Sequence, residues 1–250
     1  MPDASPSLRL ITFAPMVGSE VTRLLLRHYD VRYVERDHLF GWASVISLLH
    51  GGRGAIPILC GNGPTMRGAR TIADHFEPLA HPARRLLPET DAAAVEADWQ
   101  TLYGQFKADI AIFAYYHLLP ERAMMVPVFA EPLPAIQARL TGLLYPALSA
   151  LFRLLLRLNV ANAAAAGARI LDTLHSFDAR LYDGRRFLTG DDLTLGDIAL
   201  AGACAPLLQP EGFGSVMPPI TAMPAPMRDL IAAMRETRAA RCVEAVYADL

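Results

Sequence analysis

The chain changes its hydrophobic rhythm near residue 90. Before that point short apolar runs alternate with helical spacing. LRLITF (8–13) is rich in strand formers, and APMVGSE follows it with turn residues. VTRLLLRHY (21–29) sets Leu24, Leu25 and His28 at helical spacing. VRYVERDH (31–38) puts Val31, Tyr33 and Glu35 on one side of a half-buried strand. LFGWASVISLLH (39–50), apolar at 43, 46 and 49, predicts a short helix closed by GGRG. AIPILC predicts a further strand, GNG (61–63) a turn, and RTIADHFEPL a helix. The order β-α-β-α-β-β-α fits parallel pairing at its start and an antiparallel pair at its end.

Beyond residue 90 the period is helical throughout. Thr90 and Asp91 offer caps to a long helix running to about residue 118, with Trp99, Leu102, Phe106, Ile110 and Phe113 as its stripe. Residues 120–134 carry four prolines and read as a looser segment. A second helix is expected over 136–160. Its seam is Leu140, Leu144, Ala147, Leu151, Leu154 and Leu158, widened by Leu143, Leu148 and Leu155 toward burial on more than one side. Further helices are expected over 161–181, 190–208 and 224–250. The organisation predicted is an α/β unit over 7–80, a linker near 78–90, and an all-helical unit over 90–250.

Composition narrows the classes. Apolar residues make up 53% of the 250 and charged residues 19%, which excludes wholesale disorder. The net charge of -2 gives no basic field for nucleic acid. Seven histidines lack metal spacing, so no metal is expected. Cys60, Cys204 and Cys242 form no Cys-x-x-Cys pair and fit a reducing compartment, Cys60 as a buried core thiol. The opening MPDASPSLRL has no charged head with an apolar run, so no export signal is read. In LTGLLYPALSALFRLLLRL, Pro146, Arg153 and Arg157 interrupt the apolar length a spanning helix needs, and both arginines read as snorkelling surface residues. A cytoplasmic protein without an integral membrane segment is expected.

Three short motifs stand out. LTLGDIAL (193–200) is a capping box: Thr194 and Asp197 three residues apart, with Leu193 and Ile198 to staple across it. Its role is structural. Ile56-Pro57 lies inside an apolar strand, where proline belongs at an edge or a bend. Read alone it is an edge proline in trans; a cis bond would turn the Ile56 N–H and C=O toward a ligand. The third is the helix start at Gly68-Ala69.

With these motifs the chain resembles the cytosolic glutathione transferases over nearly its whole length. Ile56-Pro57 matches the family's cis-proline strand. Residues 68–76 stand at its Glu-Ser-x-Ala-Ile-x-x-Tyr-Leu pattern, and DGRRFLTGDDLTLGDIAL (183–200) resembles its Phe-Leu-x-Gly-Asp-x-x-Ser/Thr-x-Ala-Asp segment closely. The resemblance implies a thioredoxin-like N-terminal domain and a helical C-terminal domain. It also implies glutathione as co-substrate, a small apolar electrophile, a role in detoxification, and a homodimer.

The site it implies is partly substituted. The family's thiol-activating Ser, Cys or Tyr position falls on Met16, and a thioether cannot donate. Ser19, one turn later, is the candidate donor to the sulfur, with a plain helix N-cap as its alternative; Thr12 is a lesser candidate. Gly68 and Ala69 replace the Glu-Ser pair that holds the γ-glutamyl end, leaving main-chain amides at a helix start. Ile56 and Pro57 would contribute backbone, and Arg67 and Arg70 charge, unless these arginines are ordinary solvated surface. Met16, Tyr103, Phe106, Tyr115 and Tyr116, with Phe113 in the same group, would line the electrophile pocket or belong to the core. The competing reading is a non-catalytic binding or interaction protein on the same fold, favoured by the missing Glu-Ser pair and the missing donor at Met16.

Overall fold

The computed structural model describes residues 8–61 and 63–250. The stretch read as free of an export signal therefore lies largely outside the described residues, as does Asn62 of the glycine turn. Four strands form one mixed sheet in the order β2-β1-β3-β4: β1 Arg9–Thr12, β2 Val34–Asp37, β3 Ile58–Cys60 and β4 Met66–Arg67. β1 runs parallel to β2 with Leu10 opposite Glu35, and antiparallel to β3 with Leu10 opposite Leu59. The helix between β1 and β2, α1 (Val17–His28), supplies the crossover that parallel pairing requires. The helices α2 (Trp42–Leu49) and α3 (Gly68–Phe76) complete this unit. Leu10, Leu26, Leu59 and Ile72 bury one side of the sheet, and Ile11, Ile58 and Cys60 the other. α2 buries Ala43 and Ser47 and leaves Leu49 exposed, and the turn after it closes tightly on Ser47, an approach that glycine at 52 permits.

The helical half departs from the expected elements at four places. The long helix after residue 90 is two: α4 (Ala92–Thr101) and α5 (Lys107–Leu118), joined by a wide turn over Leu102–Phe106 in which Gly104 leaves helical geometry at φ -91 and ψ -109. Its predicted stripe is buried all the same, and Asp91 caps it without a side-chain hydrogen bond. The segment read as loose contains α6 (Arg122–Ala130), which carries Pro127 inside it and buries Met125, Val128 and Phe129. Apolar burial there outweighs the hydrogen bond that proline removes.

The third departure is the leucine seam. α7 (Ala135–Leu155) buries Thr141, Tyr145 and Phe152, and α8 (Val160–Arg180) follows it. Leu143, Leu154 and Leu155 are exposed, so α7 is not buried on several sides. Its core face is aromatic: Phe152 stacks on Tyr115, and Tyr145 donates its hydroxyl to Leu119 O at 2.8 Å. Among the described residues no single helix is long and apolar enough to cross a membrane; α7 and α8 pass that test only as a pair bent by 68°.

α9 (Leu195–Leu208) is the central helix and is buried along its whole length. Its start is the predicted capping box. Asp197 accepts from the Thr194 amide at 2.9 Å, the Thr194 hydroxyl at 2.6 Å and the Leu188 amide at 2.8 Å. α9 lies directly on α1, with Gly202 against the Val21 backbone. The terminal segment is broken at Thr237 into α10 (Ala225–Arg235) and α11 (Arg238–Asp249). α11 is tied back to α1: the Tyr247 hydroxyl donates to Glu20 at 2.6 Å, and Glu20 pairs with Arg23 at 2.8 Å. Arg23 also reaches Glu35 of β2, so one buried cation links the sheet, α1 and the last helix.

Candidate functional site

The start of α1 is the floor of the site. Met16 occupies the cap position in extended geometry, with no side-chain cap bond. The turn before it is held by the Met16 amide on Phe13 O at 3.1 Å and by the Ser19 hydroxyl on the same oxygen at 2.9 Å. Ser19 is fully buried, and its proton is used by that carbonyl. It does not present a hydroxyl to the cavity described below, which places the sequence-based donor in the support of the turn. Thr12 is likewise buried, its hydroxyl 2.6 Å from Asp37 and 2.9 Å from Glu35.

The Ile56-Pro57 bond is cis. Among the described residues no backbone hydrogen bond engages the Ile56 N–H or C=O. Pro57 borders the floor: a methyl group placed on Gly18 would lie 3.1 Å from the Tyr103 hydroxyl, 3.4 Å from Pro57 Cδ and 3.7 Å from Met16 Cε. Glycine at 18 is what permits this close approach of three elements.

The helix start at 68–69 is partly occupied. The Gly68 amide donates to Pro57 O at 2.9 Å, and Gly68 sits at φ +76, a conformation that favours glycine. The Ala69 amide faces the Tyr103 hydroxyl, whose acidity burial lowers and this amide partly restores. One of the two main-chain donors expected to meet a carboxylate, the Gly68 amide, thus already has a partner in the chain. Arg70 is paired with Asp74 at 2.7 Å and with Glu96, so it is not a free ligand group. Arg67 is exposed.

Above the floor lies a cavity of about 320 Å³. Pro15, Met16, Val17 and Gly18 form one wall. Lys107, Ala111, Ala114, Tyr115 and Leu118 of α5 form the opposite wall, and Phe40, Met125 and Phe152 close the end. The volume is at the small end for a ligand site, and the lining is overwhelmingly apolar. Two polar groups interrupt it. The Tyr115 hydroxyl is buried without a hydrogen-bond partner among the described residues, and burial raises its pKa. The Lys107 ammonium sits 3.7 Å above the Tyr103 ring, and Tyr103 stacks on Trp99 at 4.4 Å. Burial pushes the Lys107 pKa down.

Of the predicted pocket residues, Met16 and Tyr115 line this cavity and Tyr103 flanks its floor. Phe106 is in the core, 1% exposed, and Tyr116 stands against His117 outside the lining. The pattern along α5 explains the division, because Lys107, Ala111 and Tyr115 recur every four residues and share one face. Sequence reasoning missed Lys107, although a count would have found it: it is the single lysine among 23 basic residues. Among the described residues no group of three metal-ligating side chains occurs. Cys204 and Cys242 are buried, and burial raises both thiols.

No protein-family profile and no curated protein matches this sequence. Solved structures do. A glutathione S-transferase from Rhodospirillum rubrum F11 aligns over 93% of this chain and 89% of its own, at 18% identity and a TM-score of 0.56. Glutathione transferase F7 from Populus trichocarpa aligns over 97% and 92%, at 16% identity and a TM-score of 0.58. A glutathione S-transferase from Methylobacillus flagellatus KT, solved with glutathione bound, aligns over 80% and 82%, at 16% identity and a TM-score of 0.52. The chain has the glutathione transferase fold, a thioredoxin-like unit followed by a helical one.

Proposed function

We propose that this chain is a glutathione transferase-like protein that binds glutathione at the start of α1 and uses its sulfur on an apolar electrophile, by conjugation or reduction. The observation that carries the reading is the apolar cavity, which opens between α1 and α5 beside Pro57. The unengaged Ile56 N–H and C=O would pair with the peptide backbone of glutathione, and the cavity would take the electrophile. In conjugation the thiolate sulfur forms the new bond to carbon, and the bonding pair displaced there leaves with the departing group. The fold alone does not decide this chemistry.

A specific observation favours a second reading, a non-catalytic binding protein on the same fold. The Gly68 amide is already paired, and Met16 supplies no donor. Turnover separates the two. With glutathione and an aryl halide, the enzyme reading expects a saturable rate above the uncatalysed reaction, inhibited competitively by S-hexylglutathione. Binding of S-hexylglutathione with no rate would leave only the second reading. A two-fold homodimer in the cytoplasm belongs to the proposal, and a monomer mass in solution would remove the dimer from it.

A further inference from the structure

Lys107 is the single lysine of the chain and the one basic residue lining the apolar cavity. Arg23, Arg70, Arg84, Arg169, Arg180, Arg185 and Arg186 each meet a carboxylate within salt-bridge distance. Lys107 meets none among the described residues; its one recorded partner is the face of the Tyr103 ring. It is half-buried in the wall of an apolar cavity, where a cation loses hydration. The ring compensates by only about 0.5–2 kcal/mol. A cation held in this way is stabilised by an arriving anion.

The location says which anion. The ring beneath Lys107 belongs to the residue whose hydroxyl abuts Gly18, beside Met16 and Pro57. Lys107 itself shares the cavity with Pro15, Met16, Val17 and Gly18. It therefore faces the start of α1, where the sulfur would lie and where the chain offers a thioether instead of a hydroxyl. A compact ammonium suits a single sulfur atom, whereas the planar fork of arginine suits carboxylates and phosphates.

We infer that Lys107 is the catalytic residue that holds the negative charge of the thiolate, doing from α5 what a hydroxyl at Met16 would do from α1. The inference rests on glutathione binding at this site, as proposed above. When the thiol ionises its proton passes to solvent water. The Lys107 ammonium then donates a hydrogen bond to the sulfur, and no other bond changes. The rest of the surroundings supply no competing charge. α1, α6, α7 and α9 present Met16, Val17, Gly18, Met125, Phe152 and Pro206, none of which ionises, and the other titratable groups facing the site are the Tyr103 and Tyr115 hydroxyls.

The test compares the full-length protein with Lys107→Met and Lys107→Arg. The thiolate absorbance of bound glutathione is titrated against pH, and the affinity for S-methylglutathione, which has no thiol to ionise, is measured alongside. In Lys107→Met the thiolate midpoint rises by about one unit or more, and kcat/KM falls about tenfold per unit. Its S-methylglutathione affinity stays within about threefold of the wild type, a change under 1 kcal/mol. Lys107→Arg keeps the charge, folds with the same cavity wall, and recovers part of the midpoint shift. An unchanged midpoint in both variants, with binding intact, overturns the role of Lys107 and leaves the function standing. Loss of S-methylglutathione binding in Lys107→Met also overturns it, because the ammonium would then be holding a carboxylate. A wild-type protein that binds neither thiol nor thioether overturns the functional proposal and this inference together.

Discussion

Replacing Asp197 with alanine would test how the central helix is anchored. The carboxylate is fully buried and accepts from the Leu188 amide, the Thr194 amide and the Thr194 hydroxyl, at 2.8, 2.9 and 2.6 Å. Alanine leaves those donors without an acceptor. The threonine hydroxyl can rotate to another, but the two backbone amides cannot. Each stranded amide costs about 1–3 kcal/mol. Against this, the variant no longer buries a charge, which returns part of the loss. The net expected is about 3 kcal/mol, or a melting temperature lower by about 6–12 °C for a chain of this size. Urea and thermal unfolding followed by circular dichroism would measure it. Asp197→Asn retains one acceptor oxygen and should fall between wild type and alanine. A loss under about 1 kcal/mol in Asp197→Ala would refute the reasoning, since it would mean the helix start finds other partners at no cost.

Three further outcomes follow from the packing and the buried groups. Gly202→Ala would place a methyl 2.5 Å from Val21 Cγ2 and 3.0 Å from the Val21 backbone, so α1 and α9 must separate; a destabilisation of about 1–3 kcal/mol in urea is expected despite the better helix propensity of alanine. Tyr115→Phe removes a buried hydroxyl without a partner and should leave the empty protein as stable or up to about 1 kcal/mol more stable by thermal melt. His28, His38 and His117 are all held below the ordinary histidine range by burial. The folded state therefore binds fewer protons than the unfolded chain, and their contribution is fully present above about pH 6.5 and is lost as pH falls through the lower folded values. Unfolding free energies at pH 7.5 and pH 5.5 should show that loss, and His28→Gln should reduce the slope.

The architecture was legible because its signals are local and redundant. Alternating short strands, the turn around Gly63 and the Thr194–Asp197 capping box each fix an element without reference to the rest of the chain. Three features were not legible, for physical reasons. The break at Gly104 splits a continuous apolar stripe, and the stripe stays in phase across it. The prolines of 120–134 punctuate the sequence, yet Met125, Val128 and Phe129 bury enough surface to hold a helix around Pro127. On α7 leucines outnumber the positions facing the core, so composition overstated its burial; Tyr145 and Phe152 mark the inner face. At the site, the resemblance pointed to Met16 and Tyr115 but gave no sign that Phe13 O accepts from the Ser19 hydroxyl, or that Pro57 O accepts from the Gly68 amide. Those are contacts between elements distant in sequence.

The central claim is that the cavity beside the start of α1 is a working glutathione site. A thermal-shift titration of the wild-type protein with glutathione and with S-hexylglutathione tests it most directly, because a ligand that binds only the folded state raises the melting temperature by mass action. The account predicts a saturable rise with both, larger for S-hexylglutathione because its chain fills the apolar cavity. No rise with either ligand, at concentrations reaching the millimolar range, would contradict it.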